Sequence, residues 1–393
     1  MRLKLVFIFC SFFAFSQLNA QEKTENILQK IEQNNKELQA FATYIKSKKL
    51  QLKSENNLSN PEVGAYFLPW GEHTDGNYSE FEVSQTFEFP TVYTSRKKWI
   101  TTEQMSLDYA YELKKQEVLL SAKKELIKLI SLQNLMKLEE ERILKAEKVY
   151  EQTKQLFEKE QIGILDRNKA KIAWLQKQFD FEKLQTEMQN QKLTLESLNG
   201  GEALNFSILA FDKNVNLAPL NELWEQKKKN DFMLKQISQK ETVALQKYKL
   251  SKHKSLPNLT AGFNYQGVAG NNYSGLYGGI SLPLWNNKNK VKAAKIDYES
   301  SKIESEASIL KLYADFQKKY NSYQTILKKY TEYKEVLNSL NSASLLLKAY
   351  ELGEINFITY FQENHFYEQA INKVLEMEKE LYLLQAELFK YQL

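Results

Sequence analysis

The chain has 393 residues, of which 26% are charged, and it contains only 13 glycines, 6 prolines and one cysteine. Its 54 basic and 49 acidic residues give a net charge of +5. With a mean hydropathy of −0.54, this composition excludes a helical membrane protein, a disordered chain and a disulfide scaffold, and the near-balanced charge gives no electrostatic signature of nucleic-acid binding.

The first segment, residues 1–20, is typical of a secretory signal peptide. Arg2 and Lys4 precede an apolar run, and Ala20 provides the small residue before the expected cleavage point. We therefore expect an exported protein. The single cysteine, Cys10, lies inside the apolar run, so the mature chain would form neither a disulfide nor a cysteine-ligated zinc site. Lipidation of this cysteine is an open alternative.

The positions of glycine and proline divide the rest of the chain into long helices. Residues 91–162 and 284–352 contain neither residue type, and runs of 72 and 69 residues predict helices of a length that is rare in soluble proteins. The predicted elements are a helix 22–60, a Gly/Pro-rich segment 61–90, a helix 91–162, a turn at Gly163 and a helix to Asn199, then a helix 219–256, a Gly-rich segment 257–283, a helix 284–352, a turn at Gly353 and a helix to Leu393.

This order of elements predicts an internal tandem repeat. The two turn glycines, Gly163 and Gly353, are 190 positions apart, and the segments around them follow the same order in both halves. We therefore expect a first structural repeat over 21–210 and a second over 211–393, each with one hairpin and one helical tip.

The long helices carry apolar residues at intervals of seven. These positions are Ala122, Leu129, Met136, Ile143, Tyr150 and Phe157 in the first helix and Ile309, Phe316, Tyr323, Tyr330 and Leu337 in the second. Sustained heptads predict left-handed coiled-coil packing against a partner helix. A helix of 72 residues would be ~108 Å long. We interpret the tyrosines of the second helix as packing residues rather than as a ligand cage.

The two Gly-rich segments predict β-hairpins. Over residues 79–90, Phe81, Val83, Phe87 and Phe89 alternate with polar residues, which is the period of a strand. Strands of about 9–11 residues are long enough to cross a bilayer when tilted. Four strands cannot close a barrel, and an open sheet edge leaves backbone groups unpaired in lipid, so the chain must oligomerise if these strands lie in a membrane.

The order of signal peptide, helix, hairpin, long helix, glycine tip and return helix resembles the TolC family of Gram-negative outer-membrane efflux ducts over nearly all of residues 21–393. The local motifs are Asn60-Pro61-Glu62-Val63, Val83-Ser84-Gln85-Thr86-Phe87-Glu88-Phe89-Pro90, Leu256-Pro257-Asn258-Leu259, Ser281-Leu282-Pro283-Leu284 and Tyr350-Glu351-Leu352-Gly353-Glu354-Ile355-Asn356. The motifs of the first hairpin, followed by Arg96, are most similar to the heavy-metal (cobalt-zinc-cadmium type) subset of that family.

The resemblance implies a mostly α fold with β-hairpins that assembles as a homotrimer. Four strands from each chain would form a 12-stranded transmembrane β-barrel, continued across the periplasm by a trimeric α-barrel of long coiled-coil helices.

The resemblance also implies a function as an outer-membrane channel. Such a channel passively conducts metal cations or small toxic compounds, without a cofactor, from a periplasmic adaptor (membrane fusion protein) and an inner-membrane RND-type pump. The sequence shows no P-loop, zinc-protease or serine-hydrolase motif. The alternatives are the duct of a type I protein secretion system and a secreted structural coiled-coil protein.

The resemblance also implies where the duct docks and narrows. The tips Ile162-Gly163-Ile164 and Leu352-Gly353-Glu354 are expected to meet the adaptor, and we expect both glycines to supply the positive φ that a sharp reversal requires. Well-known family members carry aspartates six and nine residues after the second tip glycine. Here those positions are Thr359 and Gln362, with Glu363 next, so we expect a less acidic periplasmic constriction.

Acidic residues distinguish the first hairpin from the second. Residues 61–90 contain six acids and no lysine or arginine, whereas 257–285 contain no charged residue. We expect Glu80, Glu82 and Glu88 to face the barrel lumen, because the opposite register would place three carboxylates in lipid. This arrangement predicts a cation-selective mouth. The alternative is that these acids only keep a wide pore hydrated.

The three histidines do not predict a metal site. His73 lies beside Glu72 and Asp75, but one histidine and two acids in a Gly-rich turn are typical of solvated loop residues. His253 and His365 share no site in the predicted arrangement.

Overall fold

The computed structural model describes residues 24–70, 76–206, 210–211, 216–268, 270–285, 287–339 and 342–393. The helices are α1 (24–34), α2 (Lys36–Ser54), α3 (Pro90–Glu158), α4 (Ile164–Leu198), α5 (Leu220–Asn230), α6 (Phe232–His253), α7 (Lys290–Ser339), α8 (Ser342–Glu351) and α9 (Phe357–Leu388), with a 3₁₀ turn at Lys390–Gln392. The strands are β1 (Glu62–Leu68), β2 (Tyr78–Phe87), β3 (Asn258–Val268) and β4 (Asn271–Ser281). The predicted class of long helices with two β-hairpins is confirmed. The expected signal peptide, with Cys10, lies outside the described residues.

Each of the two helices that lead into a hairpin is interrupted once. The N–H of Leu38 donates to Asn35 Oδ1 over 2.9 Å, and the N–H of Met233 donates to Asp231 Oδ1 over 2.8 Å. Side-chain oxygens that accept from the first-turn amides are N-cap interactions, so α2 and α6 each begin at an Asn or Asp residue. The prediction of continuous helices over 22–60 and 219–256 is therefore wrong at these two positions.

The four strands form one antiparallel sheet in the order β1-β2-β3-β4. The central pair, β2 and β3, joins the two hairpins, with Phe81 opposite Tyr265 and Val83 opposite Phe263. Strands β1 and β4 are the edges of this sheet, so one side of each has no partner strand within the described chain. The sheet is joined to helices at one end only, because both hairpin connections lie at the other end.

The chain forms two compact units. The first comprises residues up to Gln39 together with Lys114–Asn230 and Tyr313–Leu393, and the second comprises Ala40–Leu113 and Asp231–Leu312. Each unit takes segments from both halves of the chain. The division into repeats 21–210 and 211–393 stays a prediction about internal repetition.

The core of the first unit includes some of the predicted heptad positions, whereas Ile309 is 38% exposed. Ala122 and Leu129 of α3 are fully buried with Ile31 of α1 and Leu195 of α4. In α7, Tyr323 is also fully buried, and burial raises the pKa of its phenol to about 12. Tyr323 and Tyr330 therefore belong to the helix packing and not to an open ligand cage, whereas Tyr333 is exposed.

The second unit contains the sheet and its own helical core. Val92 and Ile100 of α3 and Leu250 of α6 are buried, and Gln239 Nε2 of α6 donates to the backbone oxygen of Thr102 in α3 over 2.6 Å. Among the described helices, none combines the length and the apolar composition of a membrane-spanning segment.

Candidate functional site

One face of the sheet is mostly apolar. Residues opposite one another on antiparallel strands point to the same side, so Ala65, Phe81 and Tyr265 share a face. Extending the register gives the apolar face, which comprises Val63, Ala65, Phe67, Phe81, Val83, Phe87, Leu259, Ala261, Phe263, Tyr265, Leu276 and Ile280. Its outer residues are open to the surroundings, since Leu276 is 93% and Ile280 68% exposed. Within the described part of the chain, the outer residues of this face are left uncovered.

The opposite face carries most of the polar side chains of the sheet, together with Tyr66 and Leu68 of β1. Glu80 accepts hydrogen bonds from the Tyr78 hydroxyl over 2.6 Å and from Asn264 Nδ2 over 2.6 Å, with Gln266 Nε2 at 3.3 Å. Glu82 lies on the same face, two residues along β2. Glu80 is hydrogen-bonded and Glu82 is half-exposed, so neither carboxylate is buried without a polar partner or water.

Glu88 lies beyond the sheet. Strand β2 ends at Phe87, and the Glu88 carboxylate forms an ion pair with Arg96, a buried side chain in the first turns of α3. The predicted strand over 79–90 is therefore too long, because the chain leaves the sheet to start α3 at Pro90. Of the three acids predicted to face the lumen, the structure places Glu80 and Glu82 on the polar face and separates Glu88 from them.

The first helical tip reverses at Glu160 and not at Gly163. Glu160 has a φ of 58°, whereas Gly163 has a φ of −78° and is the N-cap of α4. After α3 ends at Glu158, the N–H of Gln161 donates to the Leu156 oxygen over 2.9 Å. This is the Schellman pattern, which puts the left-handed residue just after the helix. The expectation of a positive φ at Gly163 is wrong because this glycine belongs to the start of the next helix.

The second tip does use its glycine. Gly353 has a φ of 75°, and the N–H of Glu354 donates to the Ala349 oxygen over 2.9 Å in the same Schellman pattern. Asn356, three residues after this glycine, is the N-cap of α9, and Glu160 stands in the same relation to the N-cap of α4. The two tips therefore match by turn geometry, with Glu160 in the place of Gly353.

Apolar side chains are exposed at both tips. Leu352 is 64% and Ile164 43% exposed, while Ile162 is half-buried. Leu165, which the sequence reading did not single out, is 68% exposed. Glu354 is exposed next to these apolar residues. The two tips thus present uncovered apolar surface within the first unit.

Behind the tips, the helices share a buried cluster. Thr153 Oγ1 and the Tyr350 hydroxyl are 2.7 Å apart and buried, and the rings of Tyr350 and Tyr360 lie 5.3 Å apart. Val149 and Ala170 complete the contact between α3, α4, α8 and α9. Burial raises the pKa of Tyr360 to about 12, so this phenol stays neutral at physiological pH. The cluster ties the two tips together.

The constriction candidates share one exposed face of α9. Thr359, Gln362 and Glu363 are exposed, whereas Phe357 and Tyr360 on the opposite face are buried. Side chains three and four residues apart lie on the same side of a helix. The structure therefore brings the three predicted residues together.

A buried ionic cluster was not found by sequence reasoning. Arg142 donates to Glu139 over 2.5 Å and to Asn372 Oδ1 over 2.9 Å, and Lys177 donates to Glu368 over 2.6 Å. These ionic side chains come from α3, α4 and α9, and the Arg142, Glu139 and Glu368 side chains are only 7%, 10% and 12% exposed. The (i, i+3) pair on α3 is visible in the sequence, but nothing local shows that the other helices supply partners.

The described residues contain no group of three or more His, Asp, Glu or Cys side chains placed to hold a metal ion. His253 Nδ1 lies 3.0 Å from Thr91 Oγ1, and His365 Nε2 lies 2.8 Å from the side-chain nitrogen of Gln369. Glu72, His73 and Asp75 fall outside the described residues.

No protein-family model matches the chain, and no curated protein matches it. Several solved structures, however, are similar to it. The outer-membrane channel OprN gives a TM-score of 0.78 at 11% identity, covering 94% of this chain and 89% of its own. The Campylobacter jejuni CmeC outer-membrane channel gives 0.75 at 12% identity, covering 94% and 85%. The outer-membrane protein VceC of Vibrio cholerae gives 0.72 at 12% identity, covering 96% of each chain.

The chain has the fold of these outer-membrane channels. The likeness extends over helices and sheet alike, since more than nine-tenths of the chain is covered in each comparison. CusC, at a TM-score of 0.77, is similar to the same degree as OprN at 0.78. The comparisons therefore do not single out the predicted heavy-metal subset.

Proposed function

We propose that the chain is the outer-membrane duct of a tripartite efflux system in a Gram-negative bacterium. It passively conducts metal cations or small toxic compounds from a periplasmic adaptor and an inner-membrane RND-type pump to the exterior, and it performs no chemical step of its own. The observation that carries this proposal is the sheet, in a chain with the fold of outer-membrane channels. It has one mostly apolar face, one mostly polar face and two edge strands that have no partner strand among the described residues.

The sheet chemistry supports a barrel made from several chains. An exposed strand edge in lipid leaves backbone groups without partners, so β1 of one copy is expected to pair with β4 of the next. Three copies would close a barrel with the apolar face toward lipid and Glu80 and Glu82 toward the lumen. A secreted coiled-coil scaffold would not require a sheet with segregated faces, whereas a type I secretion duct would share it.

The tips support docking to a helical adaptor. Leu352, Leu165 and Ile164 are exposed at the tips. Apolar surface exposed in this way is typical of a site where another protein binds. The face of α9 with Thr359, Gln362 and Glu363 lies next to the second tip, and we propose that it lines the periplasmic constriction. It carries one acid, so the constriction would be less acidic than in the family members with two aspartates.

The experiment is a reversal-potential measurement on the reconstituted channel under a KCl gradient. We expect K⁺ preference in dilute salt that weakens as salt screens the lumen carboxylates over about a Debye length, roughly 8 Å at physiological salt. Glu80/Glu82→Gln should lose most of this preference, and Glu304/Glu306→Gln, which removes two exposed acids of α7, should retain it. Anion preference, or selectivity unchanged in Glu80/Glu82→Gln, would contradict the lumen assignment. Recovery of the protein in a detergent-free aqueous extract would contradict the duct.

A further inference from the structure

Residues 242–296 contain no aspartate or glutamate. The stretch carries eight lysines, placed on both sides of the second hairpin: Lys247, Lys249, Lys252, Lys254, Lys288, Lys290, Lys292 and Lys295. Residues 61–90 carry acids alone and the chain elsewhere mixes both signs, so this segment is distinct as a run of lysines without acids. The duct function by itself does not explain a run of lysines without acids.

The lysines nearest the hairpin come together at the end of the sheet where the helices attach. Asn258 of β3 pairs with Ser281 of β4 at this end. Asn287 Nδ2 donates to the backbone oxygen of Lys254 over 2.9 Å, which joins the segment before β3 to the segment after β4. Lys288 lies directly beside this contact. Lys254 and Lys288 therefore lie close to each other, just beyond the ends of β3 and β4.

Exposed apolar residues occupy the same place. Leu282, Leu284 and Trp285 follow β4 and are 64%, 67% and 81% exposed. The N–H of Lys288 donates to the Trp285 oxygen over 3.2 Å, so the indole and the ammonium group belong to one turn. Tryptophan and lysine side by side at the end of a membrane strand are typical of the interface between hydrocarbon and headgroups.

The chain itself gives these lysines little support. Lys254, Lys288 and Lys292 are exposed, and within the described part of the chain none of the three forms an ion pair. Lys288 and Lys292 flank the start of α7, which has no acid in its first turn. Cations are disfavoured at a helix N-terminus by the macrodipole, so helix stability does not account for them.

We propose that a lysine collar, defined as Lys254, Lys288 and Lys292 with Leu284 and Trp285, binds the headgroups of anionic phospholipids. The inference rests on the proposed function, which puts the apolar face of the sheet in lipid. Strands of 11 residues such as β3 span the hydrocarbon when tilted, so residues just beyond their ends lie at headgroup level. The ammonium groups pair with the phosphates of lipids that carry net charge, while the indole and leucine enter the interface.

The test compares lipid association by electron paramagnetic resonance with spin-labelled lipids. The protein is reconstituted in phosphatidylcholine vesicles, and the association of labelled phosphatidylglycerol is measured against that of labelled phosphatidylcholine. We expect a preference of about fivefold for phosphatidylglycerol at low salt, the factor for one lysine near an anionic surface. Lys254/Lys288/Lys292→Gln should lose it. Lys311/Lys318/Lys328→Gln removes the same charge from exposed positions along α7 and should keep it.

Several outcomes would overturn the proposal. If the wild type and the Lys254/Lys288/Lys292→Gln variant show the same preference for phosphatidylglycerol, the collar does not select lipids. The same conclusion follows if the control Lys311/Lys318/Lys328→Gln loses as much of this preference as the collar variant does. Displacement of labelled lipid by millimolar glycerol phosphate would show a site for free anions instead. A protein that conducts ions but shows no lipid preference refutes only this inference, whereas a protein that does not insert into vesicles refutes the proposed duct as well.

Discussion

Replacing Arg142 by methionine should destabilise the helical unit more than any exposed ion pair can. The Arg142 side chain is 7% exposed and lies between Glu139 and Glu368, which are 10% and 12% exposed. Methionine keeps much of the volume but removes the cation. Two carboxylates would then stay buried with Lys177 as the remaining cation, at 3.8 Å from Glu139 and 2.6 Å from Glu368.

The expected cost is ~3–5 kcal/mol, the range for removing one partner of a buried pair. A matched control is Lys329→Met, which breaks the 2.7 Å (i, i+3) pair with Glu332 whose side chains are 58% and 46% exposed. That change should cost less than ~1 kcal/mol. Thermal unfolding followed by circular dichroism in detergent measures both variants under one condition.

A rescue variant separates charge burial from lost packing. Adding Glu139→Gln to Arg142→Met removes the one carboxylate left without a cation and keeps the 2.6 Å pair between Lys177 and Glu368, so most of the lost stability should return. If Arg142→Met unfolds at the same temperature as Lys329→Met, the cluster is not buried in the assembled protein and the reasoning is wrong. If the rescue variant is as unstable as Arg142→Met alone, packing and not charge accounts for the loss.

Three further results are expected. Gly163→Trp should leave the protein assembled, since no atom lies within 4 Å of a Cβ at this position. It should abolish resistance in an efflux-deficient strain, because the indole would block the docking tip. Normal resistance would contradict the docking role of this tip. Gly353→Ala should cost ~1–2 kcal/mol because its φ is 75°, whereas Gly163→Ala should not, and equal unfolding midpoints would count against the tip geometry. Burial opposes ionisation of Glu387, but hydrogen bonds from Lys124 and Lys319 outweigh it and lower its pKa below 4.5. The contribution of the ionised carboxylate to stability is therefore complete above pH 4.5 and is lost as the pH falls through the lowered pKa. Unfolding midpoints of the wild type and of Glu387→Gln, measured between pH 3 and 6, would show this loss.

The sequence by itself determined the type and order of the elements. Few glycines and prolines left two stretches that could only be long helices, and α3 (Pro90–Glu158) follows the first of them closely. Period-two alternation around Phe81 identified the strands and the side chains that share a face, because successive residues of a strand point to opposite sides. Gly353 was identified as a turn residue since a left-handed conformation favours glycine.

The tertiary structure decided what depends on residues far apart in the chain. Glu160 takes the left-handed conformation at the first tip because the helix ends there, although a glycine lies three residues later. Glu88 leaves the polar face for an ion pair with Arg96. Arg142 becomes part of a buried cluster only when α4 and α9 bring Lys177 and Glu368 to it. Local patterns fix which face of an element is apolar, but which charges meet across that face depends on how the elements pack, and no short stretch of sequence contains that information.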